Sequence, residues 1–187
     1  MEERRKVLVR MLRDADEAVR RTAAEALERL EGIQNLAVLI EKYRTGDKVM
    51  KLKVVYAMGK LRADECLPVL MNALASPEDD LRAAAIRVVG EMSDTRLLQP
   101  LVNLLNDPSI TIQTLTVEAL ANFRHKNLIP LLLPLLEREN KYLVIATLQT
   151  LAKLNANEAL DQIMALTGHS EPEVRRTAAE VLGQIEG

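Results

Sequence analysis

Two histidines, one cysteine and three tyrosines are the side chains of this 187-residue chain best suited to chemistry or recognition. His125 and His169 stand 44 residues apart, and neither belongs to a carboxylate-rich i, i+4 motif of the kind that sets metal ligands on one helix face. The sequence has no glycine-rich phosphate loop and no G-x-S-x-G elbow, and its Asp and Glu residues fall mainly at loops and helix surfaces. No catalytic residue, metal ligand set or cofactor site is expected. Cys66 stands alone, which excludes an intramolecular disulfide, and its place in an apolar column predicts a buried structural thiol. What remains is the chemistry of contact, and its meaning depends on the elements that carry it.

Those elements repeat. Val19, Met50, Leu81, Ile112, Leu143 and Val174 follow one another at an unbroken 31-residue interval. Eight residues past each anchor stand Leu27, Met58, Val89, Leu120, Leu151 and Leu182, and eleven past it stand Leu30, Leu61, Met92, Phe123, Leu154 and Ile185. Offsets 0, +4, +8 and +11 share one side of a 3.6-residue helix, so each repeat ends in an amphipathic helix B. Leu8, Leu39, Leu70, Leu101, Leu132 and Ile163, eleven before each anchor, mark a preceding helix A. Between them lie Asp14, Ser76-Pro77, Asp107-Pro108 and Ser170-Glu171-Pro172, where short oxygen-bearing side chains accept from free amides and proline costs no hydrogen bond.

A drift-free period of this length is the mark of an array whose repeats bury their apolar faces only by stacking. The expectation is an all-α, right-handed superhelical solenoid of six helix pairs forming one domain over 1–187, with repeats 1–32, 33–63, 64–94, 95–125, 126–156 and 157–187. Twelve helices are predicted. Pro134 falls inside the fifth helix A, which should kink or lack a backbone bond there. Arg4 and Arg5 replace the apolar pairs of inner repeats, which reads as an N-terminal cap, whereas Gln162 and Thr167 make a weaker C-terminal one. Glycine and proline total 14 residues, 48% of the chain is hydrophobic, and no apolar stretch reaches membrane-spanning length. The N-terminus lacks the apolar core of a secretion signal, so the expected setting is cytoplasmic.

The segments EAVRRTAAEALERLEG, DDLRAAAIRVVGEMSD and EPEVRRTAAEVLGQIEG resemble the B helix of HEAT-like repeats of the phycocyanobilin-lyase type, whose pattern is D/E-P-x-V-R-x-x-A-A-x-A-L-G. The likeness spans the chain and implies an α-solenoid found in binding modules and enzymes alike. It also implies that the arginine after the anchor bridges adjacent loops. That residue is Arg20, Arg82 and Arg175, conservatively Lys51, but Gln113 and Val144 in repeats four and five, where a polar tie should be lost and an apolar spot gained. Iron-binding HEAT-like hydroxylases resemble tandem His-Glu dipeptides; here the histidines read His125-Lys126 and His169-Ser170. A bilin-lyase-like subunit handling a chromophore, and an engineered repeat scaffold, are the alternatives; the divergence between inner repeats speaks against engineering.

In related solenoids offsets +2, +6 and +10 of helix B line a concave groove. Leu52 and Tyr56 form an i, i+4 pair in that row, with Lys60 one turn further on, and they are expected to abut Arg87 of the next repeat. Ile145 and Gln149 form a second cluster. Tyrosine and arginine are frequent interface anchors. Offset +9 holds Glu28, Gly59, Gly90, Ala121, Ala152 and Gly183, small in five of six, which should leave the groove floor open. Residues 33–63 carry seven Lys/Arg and two Asp/Glu, residues 64–94 two and seven, around a net charge of −2. Lys51 and Lys60 would steer an acidic partner. A pI near 5.8 and 2% aromatic content exclude a nucleic-acid groove. The function expected is a non-catalytic scaffold for a protein or peptide partner, monomeric or weakly self-associating and not membrane-bound, with contacts at Leu52, Tyr56, Lys60, Arg87, Ile145 and Gln149.

Overall fold

The computed structural model describes residues 2–185, apart from the side chain of Gln34; Glu186 and Gly187, the last positions of repeat six, lie outside the described residues. Twelve α-helices appear, alternating A and B: α1 (Glu2–Met11), α2 (Glu17–Gln34), α3 (Leu36–Thr45), α4 (Lys48–Leu61), α5 (Leu67–Leu74), α6 (Asp79–Met92), α7 (Leu98–Asn103), α8 (Ile110–Leu120), α9 (Ile129–Leu132), α10 (Lys141–Lys153), α11 (Leu160–Ala165) and α12 (Pro172–Leu182). There is no strand among the described residues. By compactness the chain divides into two bodies, Met1–Leu70 and Met71–Gly187.

The fourth and sixth A helices end in 3₁₀ turns, Leu104–Asn106 and Leu166–Gly168, and at Pro134 in the fifth this turn is longer. The fifth helix A is α-helical for only four residues, then tightens to a 3₁₀ turn over Leu133–Glu137. In the C-terminal body α8 packs between α6 and α10, and α12 packs on α10. The core is continuous through Leu81, Ile86, Ile112, Val117, Leu120, Leu143, Leu148, Leu151 and Val174, each 2% exposed or less. Three of the four buried threonines make hydrogen bonds to main-chain carbonyls. Thr116 and Thr147 donate to the carbonyls of Ile112 and Leu143 one turn back, and Thr150 donates across to Val117 at 3.1 Å.

Four of the six turns between helices A and B, those of repeats one, three, four and six, are closed by one device. Asp14, Ser76, Asp107 and His169, all at offset −5, accept through their side chains from the amide two residues on, at 2.9–3.2 Å. The residue after the anchor reaches back six positions to a carbonyl of the same turn. Arg20 donates to Asp14, Arg82 to Ser76 and Arg175 to His169, at 2.7–2.8 Å. Gln113 donates to Asp107 at 2.6 Å. That bond stays within the turn of Gln113 itself, so the uncharged donor replaces the within-turn contact of the arginines and not a bridge between adjacent loops. Val144 is fully buried and adds to the core, so it makes no apolar surface spot. In repeat five Lys141 supplies a polar link instead, to Glu171 and Glu173 at 3.3 and 2.6 Å.

Arg82 also spans two repeats. Its side chain is 9% exposed, Nη2 donates to Asp107 Oδ1 at 3.0 Å and to Asp79 at 2.8 Å, and Nε makes an ion-pair contact with Asp107 Oδ2 at 2.9 Å. Burial acts to lower its pKa, but the two carboxylates outweigh burial and hold it above its ordinary value. Cys66 is a buried free thiol whose pKa burial pushes up, as its apolar column requires.

The order of the two ends is the reverse of the sequence expectation. Helix α1 buries no side chain, and Val7, Val9 and Met11 are exposed. The last repeat buries Ile163, Val174, Thr177, Ala178 and Val181. Arg4 and Arg5 do face solvent, but among the described elements α1 packs principally on α2, so its apolar side meets too little surface to be covered. Backbone amides of α1 should accordingly exchange with deuterium before those of α12; slower exchange in α1 would contradict this burial pattern. Asp107→Ala, which strips a buried guanidinium of its main partner, should cost on the order of 3 kcal/mol by urea denaturation, and a loss below about 1 kcal/mol would show the pair to be dispensable.

Candidate functional site

Each B helix is positioned by a buried residue at offset +4, joined by buried offsets 0 and +8 in α6, α8 and α10, which leaves +6 and +10 in solvent. Arg29, Tyr56, Lys60, Arg87, Glu118, Gln149 and Lys153 are all exposed, while Leu52 and Ile145 are half-buried. Tyr56 is 46% exposed on α4. Leu52 and Lys60 lie one turn to either side of it. Arg87 belongs to the C-terminal body, on α6, and Ile145 with Gln149 forms a one-turn pair on α10.

In the N-terminal body Tyr56 and Lys60 border a cleft of about 980 Å³ between α2 and α4. Thr22, Glu25, Ala26, Glu28, Arg29 and Gly32 supply the α2 wall; Lys53, Tyr56, Ala57, Lys60 and Leu61 supply the α4 wall, and Leu39 and Arg62 complete the lining. Two polar links span it. Lys60 Nζ lies 3.1 Å from Glu28 Oε1, and Arg29 Nε donates to the Leu61 carbonyl at 3.0 Å. The second contact places a cation on a carbonyl at the C-terminal end of α4, where the helix dipole favours it.

In repeats three and four the small residues at offset +9 do not make an open floor. Gly90 and Ala121 are buried, and a Cβ on Gly90 would stand 2.8 Å from Ala119 Cβ, so smallness there is what lets α6 and α8 touch. Glu28 is the large member of that column. Glu25, Arg29 and Lys53 were not singled out from the sequence; the break in the column at Glu28 is the signal that could have found them.

A second cavity of about 460 Å³ lies beside Pro77, Arg82, Asp107 and Pro108 at the A–B turns, over the buried ion pair. The histidines lie apart from both cavities and serve turns. His169 accepts from Glu171 N at 3.0 Å where other repeats use Asp or Ser, and His125 accepts from Asn127 N at 3.3 Å as Asp94 does from Arg96 N at 3.0 Å. Among the described residues no three His, Cys, Asp or Glu side chains gather as a metal site, and no helix is long and apolar enough to cross a membrane.

Models of HEAT repeats match residues 36–121 and 129–187, and a further HEAT repeat model matches residues 5–31. No curated protein sequence matches the chain. Among solved structures the chain is similar to the complex of CpcE and CpcF of phycocyanin lyase from Nostoc sp. PCC7120, at 22% identity over 97% of this chain and 76% of that one, TM-score 0.56. It is similar to YibA of E. coli at 19% identity over 97% and 72%, TM-score 0.66. A designed armadillo repeat protein in complex with the peptide (KR)4 matches at 18% identity over 96% and 98%, TM-score 0.61. Identities this low carry the fold alone.

The Glu28–Lys60 pair is two-thirds exposed on both sides. A double-mutant cycle with Glu28→Gln and Lys60→Met should return a coupling below about 1 kcal/mol in thermal or urea melts. A larger coupling would make the pair a structural clasp of the cleft.

Proposed function

We propose that this chain, which belongs to the HEAT repeat family, is a non-catalytic scaffold that holds a protein or peptide partner on the exposed faces of its B helices. The observation that carries this reading is Tyr56: an aromatic side chain left half in water at the edge of a 980 Å³ cleft, in a sequence with three tyrosines, one phenylalanine and no tryptophan. An aromatic group in that position gains by desolvation, roughly 1.5 to 3 kcal/mol for a large side chain fully buried by a partner. Leu52 extends the apolar surface one turn along α4.

Charge favours an acidic partner here. Arg29, Lys53, Lys60 and Arg62 line the cleft against Glu25 and Glu28, an excess of positive charge that would speed encounter more than it would slow release. Arg87, with Ile145 and Gln149, offers further contacts of the same kind in the C-terminal body. The designed armadillo protein that shares the fold holds a peptide, which supports this use of a helix-repeat surface. A bilin-lyase-like role would instead show as visible absorbance of the protein purified from its source cell.

Affinity capture from that cell with mass spectrometry should yield a stable protein partner. With that partner in hand, the double substitution Leu52→Ala and Tyr56→Ala should weaken binding at least tenfold, about 1.4 kcal/mol, while helicity and Tm stay within error. Unchanged affinity would move the contact to the A helices or the loops.

A further inference from the structure

Four of the five reversals from a helix B into the next helix A are made alike. Arg62, Ser93, Arg124 and Asn155, each 31 residues from the last, take the left-handed region with φ of 50 to 51°. The equivalent residue at the first reversal is Glu31, and it remains helical. Helix α2 runs on through Gly32 to Gln34, and α3 begins after Asn35 alone. Glycine is a poor interior helix residue and a good one for ending a helix, so α2 continues past a natural stop, held there with Gly32 against Leu61 of α4, which a Cβ would overlap.

The hairpin carried by this continuous helix is thinly packed. Ala23 is the one buried residue among the described residues up to position 33, and Leu8, Leu12, Leu27 and Leu30 are only half-buried. Its inner side borders the α2–α4 cleft, and at Glu28 it presents a long side chain in the column that lets α6 and α8 meet through Gly90 and Ala119.

We propose that the α2–α3 junction is a conformational switch. The α1–α2 hairpin exchanges between the arrangement described, with α2 continuous to Gln34, and a stacked one in which α2 ends at Leu30, Glu31 takes the left-handed turn of the other junctions, and the cleft closes. Closure buries the half-exposed leucines. It is opposed by the left-handed conformation of a residue with a Cβ, by the loss of the last helical turn and by Glu28 between the helices. Closing the cleft would cover Tyr56, but the switch stands whether or not a partner binds there.

The test uses spin labels at Arg21→Cys and Val49→Cys in the full chain, since Cys66 is fully buried and takes no label. Pulsed electron–electron resonance should give two inter-label distances. Glu31→Gly should raise the population of the shorter, because glycine enters the left-handed region freely. Glu31→Ala loses the same ion pair to Arg5 but retains the Cβ, and should leave the longer distance dominant. One distance shared by all three proteins would overturn the switch, as would equal shifts in both variants, which would assign the effect to the Arg5 pair. A broad distribution with lost helicity in Glu31→Gly would also overturn it, by showing that no stacked state is available.

Discussion

Close approach of neighbouring B helices is the constraint on which the C-terminal body depends. A single helix pair of about 31 residues has one apolar side and nothing of its own to cover it, so it is stable only where the next pair comes near enough to touch. Gly90 against Ala119 shows the distance required: one added carbon would overlap. Polar side chains are enclosed there as well: Thr116 and Thr147 are satisfied by carbonyls of their own helices, and the close approach lets Thr150 reach Val117 on the neighbouring one.

The second requirement falls on the turns, where helix ends leave main-chain groups without intrahelical partners. The chain meets it with chemistry that is constant in role and variable in residue. An acceptor at offset −5 is aspartate, serine or histidine, and a donor after the anchor is arginine or glutamine. This explains why two histidines can stand in a protein without forming a reactive centre: each occupies a place held by an oxygen acceptor in another repeat.

Periodicity made the helix pairs legible, since the columns headed by Val19 and Leu8 are buried from the third repeat on and half-buried in the first two. It served less well where meaning depends on continuity rather than on a column. Glu31-Gly32 has the look of a helix terminus, and nothing in the side-chain pattern tells that α2 passes through it. Val144 was misread because its column is polar elsewhere; with no polar group to reach the turn, its side chain is enclosed in the core. The wheel placed Tyr56 and Lys60 in solvent correctly, whereas the cleft beside them follows from how α2 sits against α4, which no local pattern encodes.

The turn ties also decide what the A–B edge can offer another molecule. Carbonyls of Asp14, Ala15, Ser76, Asp107, His169 and Ser170 are already engaged by the long donors behind them. An incoming strand seeking main-chain acceptors would have to compete with intramolecular donors at those turns. Recognition along that border is therefore left to outward side chains such as Ile110 and Tyr142, residues free to vary from repeat to repeat without disturbing the backbone beneath them. The border is thus a place where sequence can drift toward new specificities while the fold stays fixed.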